Sequence, residues 1–181
     1  MNFREYTNKE FKEILESIII LIDTREQVNS HIKLYLKKNN VKYIDYKLDF
    51  GDYSFMVPKN EKLYILDDIY FDKEISLERK GNAEELSGNI CEKTDRFKNE
   101  FIRANGKMRL LIEDSTYKDI SNHNYKTKFP SKSYIGKLHS ISESYNCPFF
   151  FVDKSNSGEY IYNTFKYYLK NKLNNKQKNS K

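Results

Sequence analysis

Tryptophan is absent from this chain, and cysteine and histidine are scarce: two and three residues among 181. Cys91 and Cys147 each stand alone, so neither a disulfide framework nor a paired thiolate site is encoded. His31, His123 and His139 are scattered and form no zinc pattern. A metal bound here should therefore be a hard cation held by carboxylates. No apolar run approaches the length of a membrane span. The longest, residues 18–22, is strand-sized and bounded by Ser17 and Asp23. The opening stretch, MNFREYTNKEFKEILES, is too polar and charged for a secretory leader. These absences predict a cytoplasmic protein with no membrane partner.

What remains is a charge-rich chain, with 32% charged and 38% hydrophobic residues, long enough for one domain with a substantial core. Tyrosine and phenylalanine carry the bulky packing. The formal charge is +6, but Lys170, Lys172, Lys176, Lys178 and Lys181 all fall in the last twelve residues. Setting those five aside leaves a body close to neutral. The lysine-rich segment 170–181 has few apolar residues and reads as a basic, disordered tail.

Periodicity gives the element order. Thr7 and Glu10 have capping-box spacing ahead of Phe11, Ile14 and Leu15, which predicts an N-terminal helix within residues 1–17, part of the same domain. IIILID suits a strand buried on both faces. QVNSHIKLYLKKNN predicts a helix presenting Val28, Ile32, Leu34 and Leu36. VKYIDYKL, GDYSFMV, KLYILDDIYF and KEISLERK read as successive strands, the third with an acidic turn or bulge at Asp67 and Asp68. Two helices follow in NAEELSGNI and EKTDRFKNEFIRANG, then the strand KMRLLIED. A polar segment at residues 115–132 is either a substrate-facing loop or a solvated connector. SKSYIGKLHSISESY is a helix, PFFFVD a buried strand, and SGEYIYNTFKYYLKNKL a final helix. The pattern is α/β with a mixed central sheet.

Three strand ends carry acids. LIDTRE brings Asp23, Arg25 and Glu26; DFGDYSF brings Asp49 and Asp52 around Gly51; LERK brings Glu78, Arg79 and Lys80. In α/β sheets, sites are built at strand ends. Residues two apart on a strand share a face, so Glu78 and Lys80 can look into one cleft while Arg79 looks away. Phosphodiester hydrolysis needs the phosphate charge offset and a hydroxide-like nucleophile. A Mg²⁺ ion on two carboxylates serves both needs, and a lysine beside it can hold the attacking water. The Glu-x-Lys triplet alone also arises by chance in any lysine-rich chain.

The full constellation resembles the nuclease domain of XPF-type structure-specific endonucleases, the XPF/Hef family. That family carries Gly-Asp, a variable gap, Glu-Arg-Lys, three residues and an acid. Here these are Gly51-Asp52, then Glu78-Arg79-Lys80, then Glu84 in place of the usual Asp. IDTRE matches the family's first strand, and DRFKNEFIRAN its helix with a basic residue, Arg96. The likeness covers residues 18 to about 153, within a nuclease domain expected at residues 18–169. The gap from Asp52 to Glu78 is longer than in the family and implies an added hairpin.

The resemblance implies a restriction-endonuclease-like core, a mixed sheet flanked by helices. It implies a metal-dependent DNA endonuclease that cuts branched DNA (flap, fork or junction) in repair, recombination or replication. Mg²⁺ is the implied cofactor, with Mn²⁺ as a substitute. Asp52, Glu78 and Asp23 would hold the metal, with the Arg79 carbonyl oxygen a further ligand. Lys80 would serve the nucleophile, and Arg79 is counted with the catalytic set. Arg25, Glu26, Arg96 and Glu84 would order the site or contact DNA. An ion pair of Arg79 with Glu26 or Glu84 is an equal alternative for that side chain. No paired helix-hairpin-helix module is evident after the domain, so a stand-alone form is expected. A homodimer, or a heterodimer with a DNA-binding subunit, is the implied assembly. EYIYNTFKYYL and SYIGKLHSI are its candidate surfaces, or ordinary core. Two other readings stay open: a non-catalytic nuclease-like module that binds DNA or recruits a partner, and a nuclease acting on ordinary duplex.

Overall fold

The computed structural model describes residues 6–91 and 94–179. Among them, seven strands form one mixed sheet in the order β2-β1-β3-β5-β6-β7, with β4 paired to β3. The strands are β1 (Ile19–Ile22), β2 (Lys42–Asp45), β3 (Tyr53–Val57), β4 (Ile69–Tyr70), β5 (Ser76–Lys80), β6 (Met108–Glu113) and β7 (Phe149–Val152). β1 runs parallel to β2, and β5, β6 and β7 are mutually parallel. β3 is antiparallel to β1, β4 and β5. This is the mixed α/β architecture that the sequence pattern predicts.

Strand alternation divides the core in two. On one face, Ile20, Ile22, Tyr53, Phe55, Val57, Leu77 and Leu111 pack against α1 (Asn8–Glu16), α2 (Ser30–Lys38) and α7 (Ser157–Asn179). On the other, Met108, Leu110 and Ile112 pack against α3 (Ala83–Cys91), α4 (Thr94–Ala104), α5 (Tyr117–Ser121) and α6 (Ser131–Tyr145). Each large apolar side chain buried this way contributes about 1.5–3 kcal/mol. The capping box forms as the spacing predicts: Thr7 accepts from the Glu10 amide while Glu10 accepts from the Thr7 amide. No helix among the described residues is long and apolar enough to cross a membrane.

Four expectations are revised. α2 buries Ile32 and Leu36, but Val28 is 61% and Leu34 68% exposed. Ile32 and Leu36 share one helix face at i, i+4, and the other two lie off it. Most of KLYILDDIYF is not strand. A 3-10 turn (Glu61–Leu63) leads to Tyr64 in the left-handed region, and pairing resumes only in the two residues of β4. The segment 115–132 is more packed than a bare loop: a capping box at Thr116 starts α5, and Ile120 and Tyr125 are buried. Finally, α7 runs on through residues expected to be a disordered tail. The helix is buried through Leu173, as its expected span requires, and it continues to Asn179, beyond the point where disorder is expected. The last two residues of that expected tail, like residues 1–5 of the N-terminal segment, lie outside the described residues.

Candidate active site

β5 lies in the middle of the sheet, between β3 and β6, and its last three residues are charged. Glu78 and Lys80 project toward α3 and α4, and Arg79 projects to the opposite face. All three are buried, with 5%, 4% and 6% of Glu78, Arg79 and Lys80 exposed. Glu78 and Lys80 line a pocket of about 380 Å³ with Asp52, Arg25, Arg96 and Arg103. Asp52 reaches this face from the start of β3, where its amide donates to the Leu77 carbonyl (2.8 Å). Its carboxylate accepts from the Arg79 amide at 2.7 Å.

The turn before Asp52 requires glycine. Gly51 has φ +71°, and a Cβ there would lie 2.6 Å from the Ser76 hydroxyl oxygen. Only glycine meets both conditions without strain.

Inside the pocket, Lys80 Nζ donates to Glu78 Oε1 at 2.6 Å and lies 5.2 Å from the Phe97 ring centroid. Burial alone would lower the Lys80 pKa, but the Glu78 and Asp52 carboxylates outweigh it and push it above its ordinary value. Asp52 is pushed well above the carboxylate range, first by burial and then by the charge of Glu78, with Lys80 opposing both. Glu100 on α4 is raised by the same two causes.

Asp23 is placed differently. Its carboxylate accepts from the Arg25 amide (2.8 Å), from Arg25 Nε (2.6 Å) and Nη2 (2.9 Å), and from the Leu48 amide (2.7 Å). Burial raises its pKa, but these hydrogen bonds prevail and lower it overall. Asp23 is buried behind the pocket, and it is Arg25 that lines it. Arg79 lies across the sheet. Nη1 donates to Glu113 (2.7 Å) and Nη2 to Glu26 (3.2 Å), while His31 Nε2 meets the other Glu113 oxygen at 2.8 Å. Glu84 accepts from the Lys126 amide at 3.1 Å, tying α3 to the segment after α5. Of the nine residues singled out in the sequence, the pocket gathers Asp52, Glu78, Lys80, Arg25 and Arg96. Asp23, Glu26, Arg79 and Glu84 lie outside its lining.

The sequence reading missed Glu85, Asn89, Phe97, Glu100 and Arg103, which also line the pocket. A signal for part of this was present. Arg96, Glu100 and Arg103 fall at i, i+4 and i+7 on α4, as a charged stripe beside the buried stripe of Phe97, Phe101 and Ala104. His31 and Glu113 carried no such signal, because Glu113 meets Arg79 and His31 only across the fold.

Among the described residues, no three His, Cys, Asp or Glu side chains are gathered as a complete metal-ligand set. The donor chemistry nevertheless fits a hard divalent cation. Two carboxylates on neighbouring strands repel one another in a partly dry pocket, and a cation between them would relieve that repulsion. Backbone oxygen, water and substrate phosphate can complete such a shell.

The family model of the ERCC4 domain matches residues 22–164. Among solved structures, an XPF from Aeropyrum pernix superposes with a TM-score of 0.59 at 15% identity, over 88% of this chain and 69% of that one. An XPF from Aeropyrum pernix in complex with DNA gives a TM-score of 0.58 at 15% identity, over 84% of this chain and 65% of that one. This chain thus spans about two thirds of the solved chains, and at that identity the likeness establishes the fold alone. A search of curated proteins returns no match.

Proposed function

The chain belongs to the ERCC4 domain family, and from that membership we propose that it is a metal-dependent DNA endonuclease acting on branched DNA. The substrates would be flaps, forks or junctions formed in repair, recombination or replication. One observation carries the reading: Asp52, Glu78 and Lys80 converge on a single pocket rimmed by Arg25, Arg96 and Arg103. Two acids and an amine supply the chemistry of phosphodiester hydrolysis, and arginines suit phosphate.

Asp52 and Glu78 would hold Mg²⁺ or Mn²⁺, with the carbonyl oxygen of Arg79 as a further donor. Bound there, the cation would offset phosphate charge and make a water more acidic. Lys80 has a defined task in this arrangement. Its amine donates to Glu78 and lines the pocket beside Asp52. It therefore orients the attacking water and stabilises charge on the phosphate in the transition state. Arg79 contributes from behind: its amide fixes one oxygen of Asp52, leaving the other toward the pocket. Arg25, braced by Asp23, presents a guanidinium at the pocket edge.

The test is a panel of labelled flap, fork, four-way-junction, duplex and single-stranded DNA, with and without Mg²⁺. Cleavage of branched substrates only with metal, lost in Glu78→Gln, is the expected result. Equal cutting of plain duplex refutes the branch preference. Undiminished cutting by Glu78→Gln refutes the site. A near-neutral body grips phosphates weakly, so a second copy or a DNA-binding partner completes the proposal. Sedimentation that finds only monomer at micromolar concentration rules out the homodimer.

A further inference from the structure

Helix α4 holds the turn in front of Asp52 at two points. The Gly51 amide donates to Glu100 Oε1 at 3.1 Å. The Arg103 Nε–H donates to the Asp49 carbonyl at 3.2 Å. Glu100 and Arg103 are three apart, so they rise from one side of the helix and meet the turn together. The turn cannot adjust freely to them, because Gly51 is left-handed and abuts Ser76. Its amide points away from the strand ladder and would lose its partner without Glu100.

The same helix also places Phe97 beside the Lys80 ammonium. From the other side, β5 fixes Asp52 through the Leu77 carbonyl and the Arg79 amide. The direction of the Asp52 carboxylate is therefore set between β5 and α4.

We infer that Glu100 is a positioning residue of this site, acting through the Gly51 amide to aim Asp52, with Arg103 as its second anchor. The inference rests on the reading of Asp52 as a metal-holding carboxylate. The geometry asks Glu100 for an acceptor oxygen, which glutamine also supplies. It does not ask for a third negative charge beside Asp52 and Glu78.

The experiment measures Mn²⁺ affinity by electron paramagnetic resonance and Gly51 amide exchange by NMR, in wild type, Glu100→Ala, Glu100→Gln and Arg103→Ala. Circular dichroism checks the fold. Groups that orient a metal ligand typically change affinity by about 10–100-fold when removed. Glu100→Ala should weaken Mn²⁺ binding toward the lower end of that range, about tenfold, and speed Gly51 exchange. Arg103→Ala should do the same more mildly, and it keeps the test open if Glu100→Ala unfolds. Glu100→Gln should recover most of the affinity and protection. Glu100→Gln as damaging as Glu100→Ala would overturn the inference, because the charge itself would then be in use. Unchanged Gly51 exchange in Glu100→Ala overturns the clamp alone. Wild type that binds no Mn²⁺ overturns the nuclease reading, while the exchange data still judge the clamp.

Discussion

Replacing Asp52 by asparagine should abolish cleavage and, without metal, make the protein more stable. The Asp52 and Glu78 carboxylates rise from neighbouring antiparallel strands joined at Tyr53 and Leu77. Strand spacing puts such groups about 5 Å apart. At an effective dielectric constant near 20, two like charges at that distance repel by about 3 kcal/mol. Lys80 attracts Asp52 and returns part of this, but burial and Glu78 prevail, as the raised pKa of Asp52 records. Asparagine keeps the shape and the acceptor for the Arg79 amide while removing the charge. A net gain of about 1–2 kcal/mol is within the range seen when a function-strained residue is replaced. For a domain of this size that is a rise in Tm of roughly 2–8 °C.

The pH dependence has a definite sign. Asp52 binds its proton more tightly folded than unfolded, so its contribution to stability is full below the unfolded pKa and is lost as pH rises through the raised folded value. The advantage of Asp52→Asn should thus grow from acid to neutral pH. Mg²⁺ should reverse the order, because saturation at about 100 times Kd adds about 2.7 kcal/mol to wild type and little to the variant. Differential scanning fluorimetry at several pH values, with EDTA or Mg²⁺, reads all of this. A lower Tm for Asp52→Asn in EDTA, or an equal Mg²⁺ shift in both proteins, would refute the electrostatic account.

Lys80→Ala should reduce kcat by roughly 10²–10³, the usual cost of one transition-state donor, with much less effect on Mn²⁺ affinity. Single-turnover cleavage beside a metal titration checks the split, and equal losses in both would assign Lys80 to metal binding. Glu113→Ala strips Arg79 of one buried partner and should cost about 3–5 kcal/mol in urea denaturation. A loss below the scatter of the extrapolation would show that the Arg79 network adds no stability. Gly51→Ala forces a side chain into a left-handed turn against Ser76, for a combined cost of about 2–4 kcal/mol. Wild-type stability in that variant would contradict the geometry of the turn.

The elements legible in the sequence were those whose residues satisfy one another locally. Thr7 and Glu10 announced α1 because a capping box closes within four residues. The run at β1 announced a buried strand because side chains pack on both faces of the sheet there, Ile20 and Ile22 on one and Leu21 on the other. Legibility failed where partners are distant. Leu34 looked inward, but only the fold decides which stripe of α2 meets α7. The lysine-rich stretch after Leu173 had the composition of a disordered tail, yet α7 carries it as helix to Asn179, continuing a helix whose stripe is buried through Leu173. In the site, Asp52, Glu78 and Lys80 stood out through their likeness to the family's Gly-Asp and Glu-Arg-Lys motifs, since the Glu-x-Lys spacing alone arises by chance. Glu100 did not, because its role depends on a glycine amide 49 residues away in the chain.

The three adjacent charges of β5 then have separate reasons. A strand that crosses the middle of a sheet exposes neither face to bulk water, so each of its charged residues must find a partner inside the protein. Alternation sends Glu78 and Lys80 to one face, where each neutralises the other and both remain open to a pocket. It sends Arg79 to the opposite face, where Glu26 and Glu113 hold it. Neither face is independent of the other, because the Arg79 amide grips Asp52 while its guanidinium is fixed across the sheet. A change at Glu113 should therefore be felt at Asp52 through a single residue, without any contact between the two acids.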